Sequence, residues 1–167
     1  MARKSIAHYK ILLYAGEEGY VDVSRLQMLF DVSRRTLNKY ISRLAREGLV
    51  ERREERVYLT DAGRKLLNTL KILKEGRQAP SYVVTDPSTG QPLPLSFANY
   101  QQLYAVLAYG LADPAVIKHH IENYMESWFR AFGDELAADL IREGKVRTAE
   151  DLKKYLEKLL LISRLLD

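Results

Sequence analysis

The clearest hydrophobic pattern in the chain lies in the middle of its first half. Three apolar residues recur there at spacings of four and three, which places them on one face of a helix. They are Leu37, Ile41 and Leu44. Ser33 is a favourable N-cap, because its hydroxyl can accept a hydrogen bond from a first-turn backbone N–H that has no helical partner. Gly48 can adopt the left-handed conformation that ends a helix, so the pattern predicts a helix over residues 34–47.

The remaining surface of this helix is cationic and carries five cations and no acid. Its residues are Arg34, Arg35, Asn38, Lys39, Ser42, Arg43 and Arg46. The DNA major groove admits one helix and presents acceptors such as guanine O6 and N7, with which arginine and asparagine side chains can pair. The pattern therefore favours a helix that contacts DNA. The alternative is a solvated helix whose charges only keep the protein in solution.

Two helices are predicted before the cationic one. Apolar residues at helical spacing predict a first helix that Ser5 caps and that ends at Gly16 or Gly19. A second helix begins at Asp22 or Ser24. Its inward-facing residues are Leu26, Leu29 and Phe30. A tight turn then leads into the cationic helix. In a helix-turn-helix pair the second helix, here the cationic one, projects from the protein surface.

The pattern next changes to an extended one. Residues 49–53 and 56–60 can pair as a hairpin around Glu54 and Glu55. Neither glutamate favours the positive φ of a tight turn, so we expect a loop slightly longer than two residues. Another helix is predicted over residues 60–76.

Three segments of this half resemble a known DNA-binding fold. They are V-S-R-R-T-L at 32–37, L-A-R-E-G-L-V-E-R at 44–52 and Y-L-T-D-A-G-R at 58–64. Together they are similar to the winged helix-turn-helix of MarR/PadR-like prokaryotic regulators, archaeal ones included. The resemblance implies that the third helix lies in the major groove and that the hairpin, or wing, touches the flanking DNA backbone. It assigns seven residues of the helix to DNA: Ser33, Arg34, Arg35, Thr36, Asn38, Lys39 and Arg43.

The wing departs from the long basic form that such regulators often have. It is short and ends in Glu54 and Glu55, and two carboxylates aimed at phosphates would repel them. We therefore expect the phosphate contacts to come from its stem. The stem residues are Arg52, Arg53 and Arg56. The alternative for these arginines is pairing across the hairpin with Glu51 and the two tip glutamates.

The chain is predicted to have three parts, in a fold that is mainly α with a small β-hairpin wing. Residues 1–76 form the DNA-binding domain, and residues 77–95 form a linker that is either an extended arm or a small hairpin. Residues 96–167 form a helical dimerisation or sensing domain. Residues 1–80 contain 17 basic and 10 acidic residues, net +7, whereas residues 81–167 have a net charge of −3. Only the first half is therefore expected to meet a polyanion.

The last predicted helix carries an apolar seam with leucines seven residues apart. The seam consists of Leu152, Tyr155, Leu159, Ile162 and Leu166. Such a seam buries either against other helices of the chain or against a second copy of it. Because a C-terminal helix is free to reach outward, the seam is our first candidate for a dimer contact.

Aromatic residues are concentrated in the second half. They are Tyr100, Tyr104, Tyr109, Tyr124, Trp128, Phe129 and Phe132. They form either the core of a helical bundle or a pocket for a small apolar effector, which tyrosine hydroxyls would orient. His119, Glu122 and Glu126 could share a helix face and bind a metal, although a solvated face is the favoured interpretation.

The remaining sequence features argue against other classes of protein. The absence of cysteine excludes disulfides, thiolate chemistry and cysteine-bound zinc, and no nucleotide or nucleophile motif is present. We therefore expect no cofactor, no metal and no enzymatic activity. No apolar run reaches the roughly 18 to 20 residues that cross a bilayer, and the N-terminus lacks the apolar stretch of a signal peptide. We expect a cytoplasmic, nucleoid-associated protein without membrane contact.

The function predicted from these features is that of a dimeric transcriptional regulator that binds specific sequences in double-stranded DNA. Winged-helix regulators resembling this one are usually dimers, because two recognition helices about one DNA turn apart contact a two-fold site. One alternative is an architectural, replication or partition protein of a plasmid, a virus or an archaeal chromosome. Another is a winged-helix module that binds a protein partner.

Overall fold

The computed structural model describes residues 6–164 of the chain, so Ser5, the predicted cap of the first helix, lies outside the described residues. The first half begins with a 3₁₀ turn at Ala7–Tyr9. It continues with α1 (Lys10–Gly16), β1 (Tyr20–Asp22), α2 (Val23–Phe30), α3 (Arg34–Arg46), β2 (Val50–Arg53), β3 (Arg56–Leu59) and α4 (Asp61–Lys74). The three strands form an antiparallel sheet with the order β1-β3-β2.

Helix α3 has the start and the buried face that its sequence predicts, and it ends at Arg46, one residue earlier than predicted. The Ser33 side chain accepts from the backbone N–H of Thr36 at 3.1 Å, and Gly48 has a φ of +74° just beyond the helix end. The apolar stripe is fully buried. Its members are Leu37, Ile41 and Leu44. Burial of this stripe fixes which side of the helix faces solvent.

Helix α2 buries a narrower face than its sequence suggested. Val23 and Leu26 are fully buried, whereas Leu29 is 45% exposed and Met28 is 77% exposed. The prediction that Leu29 faces inward is therefore wrong. The helix has only eight residues and packs mainly on α3 and β1. Phe30, in its last turn, is half-buried against the rings of Tyr14 and Tyr40.

The β2–β3 hairpin turns in two residues, so the prediction of a longer loop is wrong. Glu54 takes the left-handed conformation with a φ of +55°, and Arg53 pairs directly with Arg56. Both carbonyl groups of the turn are held by other parts of the chain. Arg52 Nε donates to the Glu54 carbonyl at 3.0 Å, and the Val23 N–H donates to the Glu55 carbonyl at 2.9 Å. These bonds offset the cost of a non-glycine residue at positive φ.

The second half is a β-hairpin followed by helices. It consists of β4 (Tyr82–Thr85), β5 (Pro92–Phe97), α5 (Tyr100–Ala108), α6 (Pro114–His120), a π-helical turn at Ile121–Met125, α7 (Glu126–Phe132), α8 (Glu135–Arg142) and α9 (Ala149–Ser163). Residues 77–95 thus contribute to a hairpin rather than to an extended arm, with an irregularity between Val83 and Thr85. Stacking of Tyr82 on Phe97, with ring centroids 4.8 Å apart, holds its two strands together.

Helix α4 joins the two halves. It packs on α1 and β3 on one side and on α8 and α9 on the other, and the buried apolar residues form a single cluster that extends from Tyr9 to Ile162. The Thr60 hydroxyl caps α4 by accepting from the Gly63 N–H at 3.0 Å and donates to the Gly48 carbonyl at 2.5 Å. The end of α3 and the start of α4 are therefore tied together. None of the helices in residues 6–164 is long and apolar enough to span a membrane.

A buried carboxylate reinforces the contact between the halves. Asp134, at the N-cap of α8, is fully buried and accepts hydrogen bonds from residues on three other helices. The donors are the Tyr100 hydroxyl, the Tyr155 hydroxyl at 2.7 Å, the Thr69 hydroxyl at 3.0 Å and the Ala137 N–H at 2.9 Å. Burial raises the pKa of Asp134, and the four hydrogen bonds oppose that rise because they favour the charged form.

The seam of α9 is used within the chain. Leu152, Leu159 and Ile162 are at most 2% exposed, since α9 packs against α4, α5 and α6. Tyr155 lies against Asp134, and Leu166 lies outside the described residues. Intrachain packing was the alternative that the sequence left open for this seam. In this fold Leu152, Leu159 and Ile162 are covered by the chain's own helices, and Tyr155 is half-buried.

Gly63 is required by a close approach of two backbones. A Cβ added at this position would lie 2.0 Å from the Leu49 carbonyl oxygen, which itself accepts from the Thr60 N–H. We therefore expect Gly63→Ala to lower the free energy of unfolding by about 1–3 kcal/mol or more, the usual cost of overpacking. Denaturant unfolding measures the change. The control is Asn68→Ala at an exposed site of the same helix, and equal stability of the two variants would contradict the prediction.

The pKa of Asp134 predicts how stability depends on pH. A folded-state pKa raised above the ordinary 3.8 means that the folded protein holds this proton more tightly than the unfolded chain does. The resulting stabilisation is present below pH 3.8 and is lost as the pH rises through the folded-state pKa. Asp134→Asn cannot titrate. We therefore expect the stability of the wild type relative to this variant to fall from about pH 4 upward, at up to roughly 1.4 kcal/mol per pH unit. Unfolding curves at several pH values test this, and a constant or growing difference would refute it.

Candidate nucleic-acid interface

The outer face of α3 presents most of the residues that the sequence assigned to DNA. Arg34, Arg35, Lys39 and Arg43 are exposed, and Asn38 is half-buried. Thr36 is also half-buried, and the Ser33 side chain serves as the helix cap described above. The assigned cations therefore lie on one surface, opposite the buried stripe.

Three of these cations have no internal partner. Within residues 6–164, Arg35, Lys39 and Arg43 have no carboxylate oxygen within 4.0 Å, and their side chains make no hydrogen bond to the protein. Their charges are therefore balanced only by solvent and salt. A polyanion that reaches this face meets these three cations without first displacing a carboxylate.

The fourth cation, Arg34, is paired with the tip of the β2–β3 hairpin. Its Nη2 donates to both carboxylate oxygens of Glu55, at 2.7 and 2.6 Å. Glu55 also lies 3.7 Å from the guanidinium of Arg52. Both partners of the Arg34 pair are well exposed, so the pair contributes little to stability but restricts where the two side chains lie.

Arg52 connects the hairpin to the middle of α3. Its Nη1 donates to the Asn38 side-chain oxygen at 2.7 Å, and its Nε donates to the Glu54 carbonyl. The residue is half-buried. The sequence assigned Arg52 to DNA phosphates, whereas in the structure its guanidinium faces the helix.

The other two stem arginines lie elsewhere on the hairpin. Arg53 pairs with Glu51 at 3.2 Å and covers the ring of Tyr58. Arg56 pairs with Asp22 of β1 at 3.3 Å and covers the ring of Tyr20. The alternative that the sequence left open was pairing across the hairpin. Arg53 does pair with one of the named glutamates, but Glu51 lies on the same strand, and Arg52 lies near Glu55 of the turn. Asp22 was not among the partners considered for Arg56.

The far end of α3 is held by the first and last helical segments. The Tyr9 hydroxyl donates to both carboxylate oxygens of Glu47, at 2.7 and 2.8 Å, and Lys158 of α9 donates to Glu47 at 2.7 Å. Burial raises the pKa of Tyr9 and lowers that of His8 beside it. Contacts from both halves of the chain therefore fix the orientation of α3.

This arrangement agrees with one known family. A winged helix-turn-helix model matches residues 7–78, which is less than half of the chain. The N-terminal half contains a winged helix-turn-helix domain. No curated protein and no solved structure matches the chain. In this domain α3 has the position of the recognition helix and the β2–β3 hairpin has that of the wing, and the fold suggests DNA binding.

The other candidate sites of the sequence are occupied by structural contacts. Glu122 pairs with Lys118 at 3.9 Å and Glu126 with Arg130 at 3.0 Å. No group of three or more metal-binding side chains is found among the described residues. His119, the third residue of the predicted face, is half-buried, and its carbonyl accepts from the Asn123 side chain at 2.8 Å.

The aromatic group divides into core and surface residues. Tyr100, Trp128, Phe129 and Phe132 are buried with ring centroids 4.8 to 6.2 Å apart. Tyr104 is half-buried, and its hydroxyl donates to Glu157 at 3.0 Å. Tyr109 and Tyr124 are 79% and 54% exposed. Mutual ring packing supports the core interpretation of the buried members over that of an effector pocket.

Sequence reasoning missed two residues of the interface region. Glu55 was expected to repel phosphates or to pair with arginines of the wing stem, whereas its pairing with Arg34 depends on how the wing folds back toward the start of α3. Lys158 lies 111 residues after Glu47, and no local pattern connects them. The high charge density of the wing was visible in the sequence and identified the region. It could not show which charged side chains pair with each other.

The difference between free and paired cations predicts different effects on DNA affinity. Lys39→Gln removes an unpaired charge from the recognition helix, so the slope of log affinity against log salt should become shallower by about 1, the value for one lost phosphate contact. Arg56→Gln removes a charge that Asp22 already balances, so a smaller change is expected. Fluorescence anisotropy with a labelled duplex between about 0.05 and 0.3 M salt measures both slopes. Equal slopes for the two variants would show that the ion pair of Arg56 with Asp22 does not change how much this arginine contributes to DNA binding.

Proposed function

We propose that the protein is a transcriptional regulator that binds specific sequences in double-stranded DNA and places α3 in the major groove. The observation that carries this proposal is the row of unpaired cations on α3. They are Arg35, Lys39 and Arg43. They project from a helix whose opposite face is fully buried, so the helix cannot rotate to hide them.

The chemistry of this face suits base contacts as well as phosphate contacts. Arg35 lies in the first turn of the recognition helix, the part that reaches base edges in helix-turn-helix proteins. Its guanidinium has two parallel donors that match guanine O6 and N7. Lys39 and Arg43 follow at intervals of four residues along the same face, where they can contact phosphates or bases.

Dimerisation belongs to this proposal because a two-fold DNA site is contacted by two recognition helices about one turn apart. Leu152, Leu159 and Ile162 of the α9 seam are already buried within the chain, so we propose that the contact lies elsewhere in the second half. The second half has other apolar side chains that its own packing leaves exposed. They are Val83, Tyr109, Leu111, Tyr124 and Leu161.

Selection of bound fragments from random duplex DNA at about 0.15 M salt tests the proposal, because this salt concentration weakens sequence-independent binding. We expect an inverted repeat from the wild type. Arg35→Ala should relax base preference at one position of each half-site by about 1–3 kcal/mol. The control is Arg147→Ala, an exposed arginine of the second half, which should recover the wild-type motif.

Other outcomes of this selection favour other functions. A single motif without repetition would support a monomeric regulator and contradict the dimer. Binding without any recovered motif would favour an architectural, replication or partition protein. No binding at all would favour a module that docks on a protein partner.

A further inference from the structure

We propose that the inner side of the wing positions the base-contacting side chains of the recognition helix. Arg52 and Glu55 are then positioning residues for Asn38 and Arg34, and they help to set sequence preference without contacting a base. This inference rests on the proposed function and deepens it. It assigns to the wing a role beyond contact with the DNA backbone.

The contact between Arg52 and Asn38 determines what Asn38 can present to DNA. A guanidinium can only donate, so the Asn38 atom that lies 2.7 Å from Arg52 Nη1 is the side-chain oxygen. The amide nitrogen must then point away from Arg52, and it has no partner within the described residues. Asn38 therefore presents a donor, which suits acceptors such as purine N7. Without Arg52 the amide can turn over and present its oxygen instead.

The contact between Glu55 and Arg34 leaves part of the guanidinium free. Only Nη2 of Arg34 touches the carboxylate, so Nη1 and Nε still have hydrogens to donate. A flexible arginine is thereby held in one direction before DNA arrives, and less side-chain entropy is lost on binding. Glu55 lies between Arg34 and Arg52, which together balance its charge. This position removes much of the repulsion that an acidic wing tip would otherwise exert on phosphates.

The wing supplies a matched control for each positioning residue. Arg52 and Arg53 are neighbours on β2, whose side chains alternate between two faces. Arg52 contacts the recognition helix, whereas Arg53 contacts Glu51 and Tyr58. Glu54 and Glu55 are likewise neighbours at the tip, and within the described residues only Glu55 has a cation within 4.0 Å.

The experiment repeats the selection from random duplex DNA with the wild type, Arg52→Gln and Arg53→Gln. Both variants lose one positive charge from the wing, so both should bind all sequences more weakly. We expect Arg52→Gln alone to lose about 5- to 10-fold of base preference at the position that Asn38 contacts, the lower range for one base contact. Asn38→Ala identifies that position, and Arg52→Gln should have no further effect on it in the Asn38→Ala background.

The second pair tests the same inference with the opposite charge. Glu55→Gln and Glu54→Gln both remove a carboxylate from the wing tip, so both should increase general affinity. Only Glu55→Gln should reduce preference at the position that Arg34→Ala identifies. Thermal unfolding checks that each variant is folded. The pair of Arg34 with Glu55 is exposed and contributes little to stability.

The outcomes separate this inference from the proposed function. If the wild type selects a motif, and Arg52→Gln and Glu55→Gln change it no more than their neighbours do, the wing does not position the base contacts and the inference is wrong. If the wild type binds DNA without a motif or does not bind, the proposed function itself fails. A motif that changes only in Arg52→Gln and Glu55→Gln, with unchanged Tm, supports both.

Discussion

The structure depends on the burial of one apolar stripe on α3. Leu37, Ile41 and Leu44 are fully buried, and this burial forces every cation of the helix onto the outer surface. Each of these leucine or isoleucine side chains contributes about 1.5–3 kcal/mol when it is removed from water. The combined contribution of the three side chains is larger than the repulsion among several cations on one exposed face, where each charge interaction is weak. The hydrophobic core of the domain therefore determines the presentation of its charged face.

The second half of the chain completes this support. Helix α4 belongs to both halves, and its Thr69 donates to the buried Asp134 of the second half. Lys158 of α9 holds Glu47 at the end of the recognition helix. The winged helix-turn-helix domain is therefore not attached through a flexible linker. Any change that moves α9 would therefore also act on the end of α3.

The sequence predicted the features that depend on local periodicity. Ser33, the buried stripe and Gly48 were sufficient to place α3, and two extended runs were sufficient to place the wing. The tight turn at Glu54 was not predictable, because the bonds that hold it come from Val23 and Arg52. A leucine seam likewise has the same pattern whether a second copy or the chain's own helices cover it. Both features depend on contacts between residues that are far apart in the sequence, and a local pattern does not reveal such contacts.

The same limit applies to the charges of the interface. In sequence, Arg34 and Arg35 are equivalent members of a cationic face, yet the folded wing pairs Arg34 with Glu55 and leaves Arg35 free. An unpaired cation gains its full interaction with DNA and contributes to affinity at any sequence. A paired cation gains less interaction energy with DNA. Its carboxylate partner must either be displaced or remain close to the DNA phosphates, which repel it. The paired cation is, however, already oriented, and orientation favours one arrangement of bases over another. The position of a single carboxylate thus distinguishes two neighbouring arginines that the sequence presents as equivalent.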